Sequence, residues 1–475
     1  MKKKIIALIS AVVACAILIA GVSALATDGL AALPGPDAEN LAIKYVESIE
    51  NAEKVVDGDI DTAWKSSSKT DSFVLTFKSE QTFNTIVIRE KGYNVNRFSL
   101  SYCSENGEWI TFYEQDSIED YRYCAFDDIT AKQIKFEVTD SDSVFRIREF
   151  EIYNVEKKEI DNFRVSDYVV TGQLISGELF DENSNKYFSP EYCEVINQLH
   201  IISSAKWNDE GELVLSDGMT SDDLKGYIAK IRELYGENDV EIFATVFFNN
   251  CNPDIVLTEK KAVVIENTVE FLLEYGFDGV SYDWEYPSGD QWDLFNEHLV
   301  TLKNELNKYN LKLSCAVSAW GFNMSTEAIN VLDQIEVMAY DVFDNNGNHS
   351  SFMSGAVQPI EYFLEKGFKP EQINLGLPFY ARPTDGGGIW IDYDDARYTP
   401  TSRFQNYSDG FWFSGTQMTM DKTAYAIEKG IGGMMIFCSV EDVPYDHELS
   451  LLKALKTTID SRIEIKEESQ KGETE

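Results

Sequence analysis

Positive charge is in short supply in this sequence. Its 475 residues hold 41 Lys and Arg against 81 Asp and Glu, a formal charge of −40. A surface that acidic is repelled by phosphate backbones, so no nucleic acid is expected as a partner. Histidine is scarcer still: there are four, and no His-Glu-x-x-His run, so a histidine-built zinc centre is not expected. The phosphate-cradling P-loop, the Gly-x-Gly-x-x-Gly turn and the Gly-x-Ser-x-Gly elbow are all missing, which removes several large enzyme classes. Seven cysteines lie without metal-ligand spacing. Cys103 and Cys124 fall in one region and are candidates to pair in an oxidising compartment, whereas Cys315 and Cys438 sit in apolar runs and read as buried thiols.

Long apolar runs are also lacking, except at the start. Lys2, Lys3 and Lys4 precede an apolar stretch from Ile5 to about Ala20, and Ala24-Leu25-Ala26 follows as a small-residue cleavage site. That order is a secretory signal over residues 1–26, so a secreted or cell-surface protein is expected. The stretch is short of the ~20 residues needed to span a bilayer, and no later segment has that length. Val12-Val13-Ala14-Cys15 resembles a bacterial lipoprotein box, which would tether the chain through Cys15.

At roughly 150 residues per domain the length implies two or three domains. Residues 38–155 alternate short apolar runs with turn signals, as in Phe73–Phe77, Thr85–Ile88, Phe98–Tyr102, Ile134–Val138 and Phe150–Tyr153. This pattern reads as an antiparallel β-sandwich. A charged linker over 156–166 follows, and then the period changes. Eight apolar runs separated by helical stretches occupy residues 167–460: Tyr168–Leu174, Leu199–Ser204, Val240–Phe247, Gly279–Asp283, Leu311–Val317, Gln334–Tyr340, Ile373–Phe379 and Gly433–Cys438. They fit an α/β fold of the (β/α)8 TIM-barrel type, with an open doubly wound sheet as the alternative that periodicity leaves standing. Residues 461–475 read as a charged, solvated tail.

The run Phe277-Asp278-Gly279-Val280-Ser281-Tyr282-Asp283-Trp284-Glu285-Tyr286-Pro287 carries the chemistry. Alternation along a strand puts Ser281, Asp283 and Glu285 on one face. Tyr286-Pro287 ends the strand, so Glu285 stands at its carboxyl end, where barrel enzymes keep their catalytic groups. Two acids held together cannot both ionise easily, which keeps a proton available near neutral pH, as a general acid requires.

This run resembles the Asp-Gly-x-Asp-x-Asp-x-Glu signature of family 18 glycoside hydrolases, the chitinase family. Met338-Ala339-Tyr340-Asp341, Gly376-Leu377-Pro378-Phe379-Tyr380-Ala381-Arg382 and Lys429-Gly430-Ile431-Gly432-Gly433-Met434-Met435 resemble further family motifs, in the family's order. The resemblance implies a retaining hydrolase of β-1,4-linked N-acetylglucosamine glycans (chitin, or the chitobiose core of N-glycans), acting without a catalytic cofactor and as a monomer. By position, Glu285 would be the proton donor. Asp283 would orient the 2-acetamido group, with Tyr340 hydrogen-bonding it, and the acetamido oxygen itself would be the nucleophile. Asp341, Ser281, Trp320, Met338, Tyr380 and Phe437 would line the substrate site; Trp390 and Trp412 are further stacking candidates. Ser281 stands in place of the family's middle Asp and Phe437 in place of a Trp floor, and Ala244-Thr245-Val246-Phe247-Phe248 replaces its Ser-x-Gly-Gly. The alternatives are a non-catalytic glycan-binding protein or a peptidoglycan-cleaving N-acetylglucosaminidase.

In the first domain, Val56-Asp57-Gly58-Asp59-Ile60-Asp61-Thr62-Ala63-Trp64, Ser101–Trp109 and Ile147-Arg148-Glu149-Phe150-Glu151-Ile152-Tyr153 resemble the discoidin-like, or coagulation-factor type C, module. Such a module implies carbohydrate binding and a structural calcium, for which Asp57, Asp59, Thr62 and Glu149 offer hard oxygen donors.

Overall fold

The computed structural model describes residues 33–161, 167–175, 188–215, 219–248, 251–341, 353–384, 391–395, 397 and 400–466. The secretory segment with Cys15, the last five residues of the linker, Trp390 and the last residues of the tail lie outside these.

The eight apolar runs of the second region form eight parallel strands: β1 Val169–Ile175, β2 Gln198–Trp207, β3 Glu241–Phe247, β4 Gly279–Asp283, β5 Lys312–Val317, β6 Gln334–Val337, β7 Ile373–Pro378 and β8 Gly433–Phe437. Each pairs with the next, and β1 pairs with both β8 and β2, so the sheet closes on itself. Closure decides against the open doubly wound sheet: an open sheet would leave β1 or β8 with an unpaired edge. The intervening helices carry their own start and stop signals. Thr220 and Asp223 form a reciprocal capping box at the head of Ser221–Tyr235, and the Lys261–Tyr275 helix stops at Gly276, which takes the left-handed φ of 76° that glycine accepts at least cost. Among the described residues no helix is long and apolar enough to cross a membrane.

Beyond β7 the chain builds something that alternation did not foretell. Short strands Tyr380–Pro383, Ile391–Asp392, Tyr407–Ser408 and Phe411–Phe413 make a four-stranded antiparallel sheet before helix Thr416–Glu428.

The first region is an antiparallel sheet dominated by two 20-residue strands, Asp71–Glu90 and Arg122–Ser141. Their pairing slips between Thr76 and Gln81 and again between Phe83 and Thr85. Such bulges bend strands, and the sheet wraps around its own apolar core of Phe73, Leu75, Phe98, Phe136 and Phe150. Cys103 and Cys124 do not pair; both are free thiols. Tyr102 stands opposite Ile134, which leaves Cys103 far along the partner strand from Cys124, well beyond the ~6 Å Cα separation of a disulfide. Cys315 and Cys438 are free and buried, as their apolar surroundings implied.

The two regions share a core. Val87, Tyr121, Tyr123, Ala125 and Tyr153 of the sandwich pack in one cluster with the barrel's apolar side chains. Polar clamps cross the contact. Asp421, buried on helix Thr416–Glu428, accepts hydrogen bonds from Tyr113 Oη at 2.5 Å and Ala125 N at 2.9 Å. Arg462 donates to Asn84 O at 2.6 Å and to Thr85 Oγ1 at 3.1 Å. Glu119 accepts from Met353 N and Ser354 N, capping the barrel helix Ser354–Glu365 from outside. The expected linker and tail are tied together as well: Lys158–Ile160 pairs in parallel with Ile463–Ile465. Residues 461–465 are thus not a solvated tail, because Ile160 and Ile463 are buried apolar side chains that hold the ribbon to the core.

Candidate active site

Strand β4 runs between β3 and β5, and it begins with a residue that has no room for a side chain. A Cβ on Gly279 would lie 2.7 Å from Lys312 O and 2.9 Å from the Phe243 ring. From there the alternation expected of a strand is realised. Tyr282 and Trp284 face outward into the helix layer, with ring centroids 5.5 and 4.7 Å from Phe248. Ser281 is buried in the lumen, Asp283 half-buried above it, and Glu285 emerges at the mouth.

The surroundings of these acids favour retained protons. Burial, then the charges of Glu285 and Glu336, hold the Asp283 carboxyl well above the usual range. Asp283 Oδ1 is buried with no hydrogen-bond partner. Glu285 is also raised, by the desolvating walls of the cleft and then by the charge of Asp341, against a hydrogen bond with Tyr286 that lowers it. Tyr340, just past β6, has its phenol held well above its ordinary value by burial and by the charges of Asp283 and Glu285. It therefore stays a hydrogen-bond donor beside them.

Asp341 has a positive φ of 55°, a strained conformation for a non-glycine residue that is held here by strong partners. It accepts from Tyr380 Oη at 2.8 Å and Arg382 Nε at 3.0 Å, and pairs with Arg382 Nη2. Phe437 at the end of β8 stacks on Tyr340 with centroids 5.8 Å apart and meets Tyr380 edge-on at 6.1 Å. Met338 is half-buried at the end of β6. Trp320, past β5, is 49% exposed and stands edge-on to Tyr286 at 5.1 Å, a free aromatic face on the rim. The barrel thus brings together the strand ends carrying Ser281, Asp283, Glu285, Tyr340, Asp341, Tyr380 and Phe437. Trp412 instead packs on Tyr407 at 4.9 Å within the small sheet.

Residues 236–442 match the family described as "Glycosyl hydrolases family 18", and residues 42–150 match "F5/8 type C domain". The chain carries a glycosyl hydrolase family 18 domain. The family 18 match spans β3 to β8; β1 and β2 lie before it and complete the barrel. Probable chitinase 2 of Drosophila melanogaster is 30% identical over 139 residues, covering 25% of this chain and 28% of that protein. Endochitinase 1 of Metarhizium robertsii is 25% identical over 227 residues, covering 36% and 54%. The chain therefore spans from about a quarter to about half of the length of these relatives. Among solved structures, the chitinase ChiB of Flavobacterium johnsoniae aligns with a TM-score of 0.53 at 22% identity, over 65% of this chain and 97% of that one. The group IV chitinase of Ostrinia furnacalis gives 0.52 at 19%, over 62% and 100%. At these identities the structures speak for the fold.

Sequence reasoning missed the polar side chains that lie beneath these groups. Glu336 and Gln334 on β6, with Gln198 and His200 on β2, are buried polar side chains in the lumen. The signal was present: an acid two residues after a glutamine, in an otherwise apolar strand run, points to the same face as Met338.

In the F5/8 type C domain, Asp57 and Glu149 come together while Asp59 is otherwise engaged. Asp57 accepts from Thr62 Oγ1 at 2.8 Å, whereas Asp59 Oδ1 accepts from Asp61 N at 3.1 Å. Both Glu149 oxygens are buried with no donor, and burial, then the charges of Glu151 and Asp57, push that carboxyl up to about 8. Among the described residues no three Asp, Glu, His or Cys side chains gather as a metal-ligand group.

Proposed function

We propose that the chain is an exported glycoside hydrolase of glycans containing β-1,4-linked N-acetylglucosamine, retaining in stereochemistry. The observation that carries this is the stack of Asp283 and Glu285 at the barrel mouth with Tyr340 beside them, all three held towards their protonated forms. In the first step the substrate's own acetamido oxygen attacks C1, the C1–O bond breaks, and Glu285 gives its proton to the leaving oxygen. Tyr340 donates to the acetamido carbonyl and Asp283 holds the amide side of the group, which stabilises the oxazolinium that forms. Water then attacks C1 from the face the leaving group vacated, and Glu285 takes its proton, so the configuration is retained. Trp320 and Phe437 supply aromatic surface for the sugar rings, whereas Tyr380, expected to line the substrate site, is 1% exposed and buried behind it, where its hydroxyl holds Asp341.

The sandwich is read as a carbohydrate-binding module packed against the barrel. Its unpartnered Glu149, with Asp57 and Thr62, fits part of a calcium donor set, for which main-chain oxygens would have to supply the remainder. Millimolar calcium is expected to raise the melting temperature of the wild type and not that of Glu149→Gln; equal melting curves for the two proteins would dismiss the ion.

The function is tested by reducing-end release from chitin oligomers, a high-mannose N-glycoprotein and peptidoglycan. Release from one of them assigns the substrate class. Binding to a glycan with no release from any would overturn the hydrolase reading in favour of a glycan-binding barrel.

A further inference from the structure

A third carboxylate lies inside the barrel below Asp283 and Glu285, and nothing in the mechanism above uses it. Glu336, on β6, is fully buried. Its Oε2 accepts from Ser281 Oγ of β4 at 3.3 Å and from Ser314 Oγ of β5, and its Oε1 accepts from Gln334 Nε2 at 2.6 Å. His200 Nε2 of β2 stands 3.9 Å away. Gln334 in turn donates to Gln198 Oε1 at 2.6 Å, and Gln198 meets His200 Nε2 at 3.0 Å. A carboxyl group so deep in a barrel is costly to keep unless it is well hydrogen-bonded, and this one is served from several strands.

We infer that Glu336 is the positioning residue for the proton on the Asp283–Glu285 pair: hydroxyls on β4 and β5 hold it beneath Asp283, where its charge opposes ionisation of Asp283. Ser281 is part of the same device. At a position where the chain has no acid of its own on β4, its hydroxyl reaches across the lumen to the acid on β6. Among the described residues, the groups around Glu336 are Ser281 and Asp283 from β4, Ser314 from β5, Gln334 from β6, Asn374 from β7 and His200 from β2; Gln198 of β2 stands one hydrogen bond further off, and Cys315, on the other face of β5, feels its charge. Burial pushes His200 down to about 3, so it is neutral and brings no compensating charge. Burial pushes Cys315 well above its ordinary value, so it is neutral too. Burial, partly offset by the hydrogen bonds from Ser314, Gln334, Ser281 and Asn374, raises Glu336 to about 7. Three acids in one column, Glu336, Asp283 and Glu285, cannot all ionise together. The proton they retain is therefore held towards the mouth, between Asp283 and Glu285, where a leaving oxygen can take it.

This inference rests on the hydrolase reading for its consequence, but not for its test. The pH titration of the protonated-carboxyl infrared band is recorded on the full chain as wild type, Asp283→Asn, Glu336→Gln and Glu336→Asp. The component missing from Asp283→Asn is that of Asp283. In Glu336→Gln it is expected to titrate about one pH unit or more lower than in wild type, while Glu336→Asp, which keeps the charge, holds it near the wild-type position. With the substrate that supports turnover, the alkaline limb of kcat/KM should move acid-ward by the same shift in Glu336→Gln. It should return towards wild type when Ser281→Asp is added to that variant. An unmoved Asp283 component in folded Glu336→Gln, or a fall in kcat that is uniform across pH, would reduce Glu336 to a packing role and overturn the inference. A wild type that hydrolyses nothing would overturn the hydrolase reading alone, since the infrared titration still decides for or against Glu336.

Discussion

Glu285→Gln is expected to lower kcat by about 10³-fold, the loss that follows removal of a positioned general acid. The isosteric amide keeps the size of the side chain and its reach at the mouth of the barrel, but it has no proton that a leaving oxygen can take. Binding should survive, because the aromatic surface of Trp320 and Phe437 and the Asp341–Tyr380–Arg382 cluster do not depend on Glu285. Turnover and the dissociation constant of a chitin tetramer, measured on the same preparations, separate the two effects. A variant that turns over like the wild type would remove Glu285 from the mechanism. One that neither turns over nor binds would show that the change had disturbed the cleft.

The second large effect concerns the junction of the two domains. Asp421→Ala is expected to cost about 3 kcal/mol, because it strands buried donors that each cost roughly 1–3 kcal/mol when left unmet. Tyr113 Oη, Ala125 N and Gln417 Nε2 all donate to Asp421. Burial pushes Asp421 up to about 6, so near neutral pH it is mostly an anion inside the contact, and those donors hold it there. Asp421→Asn keeps acceptor oxygen and should cost less. Thermal melting of both variants is the check, and a midpoint for Asp421→Ala equal to that of the wild type would mean that the Asp421 clamp adds nothing to the hold that apolar packing, Arg462 and Glu119 already provide.

How far these conclusions were legible in the sequence differs from one residue to another. Strand β4 was legible to the residue, because its inward-facing positions obey period-two alternation, a local property; that its first glycine has no space for a Cβ is decided by Lys312 and Phe243 on the neighbouring strands. Cys315 and Cys438 were legible as buried thiols for the same reason: their neighbours in sequence are their neighbours in the strand. That Cys103 and Cys124 stay apart was not legible, since nearness along the chain says nothing about register across a bent sheet. Glu336 lay in plain view in the Gln334–Val337 run. Its consequence did not, because Ser281, Ser314 and His200, the residues that meet it, lie on three other strands.

Local alternation and turn chemistry, which need no partner, determined by themselves the strand and helix runs and the division into two folded regions, while the order of the site motifs came from their resemblance to family 18. Closure of the barrel, the fusion of sandwich and barrel through Asp421 and Arg462, the ribbon that ties residues 158–160 to 463–465, and the column of Glu336 beneath Asp283 were decided only by the tertiary structure. Each of these depends on groups distant in sequence being desolvated together. The free energy of burying a charge or a polar group is set by what surrounds it in space and not by what precedes it in the chain.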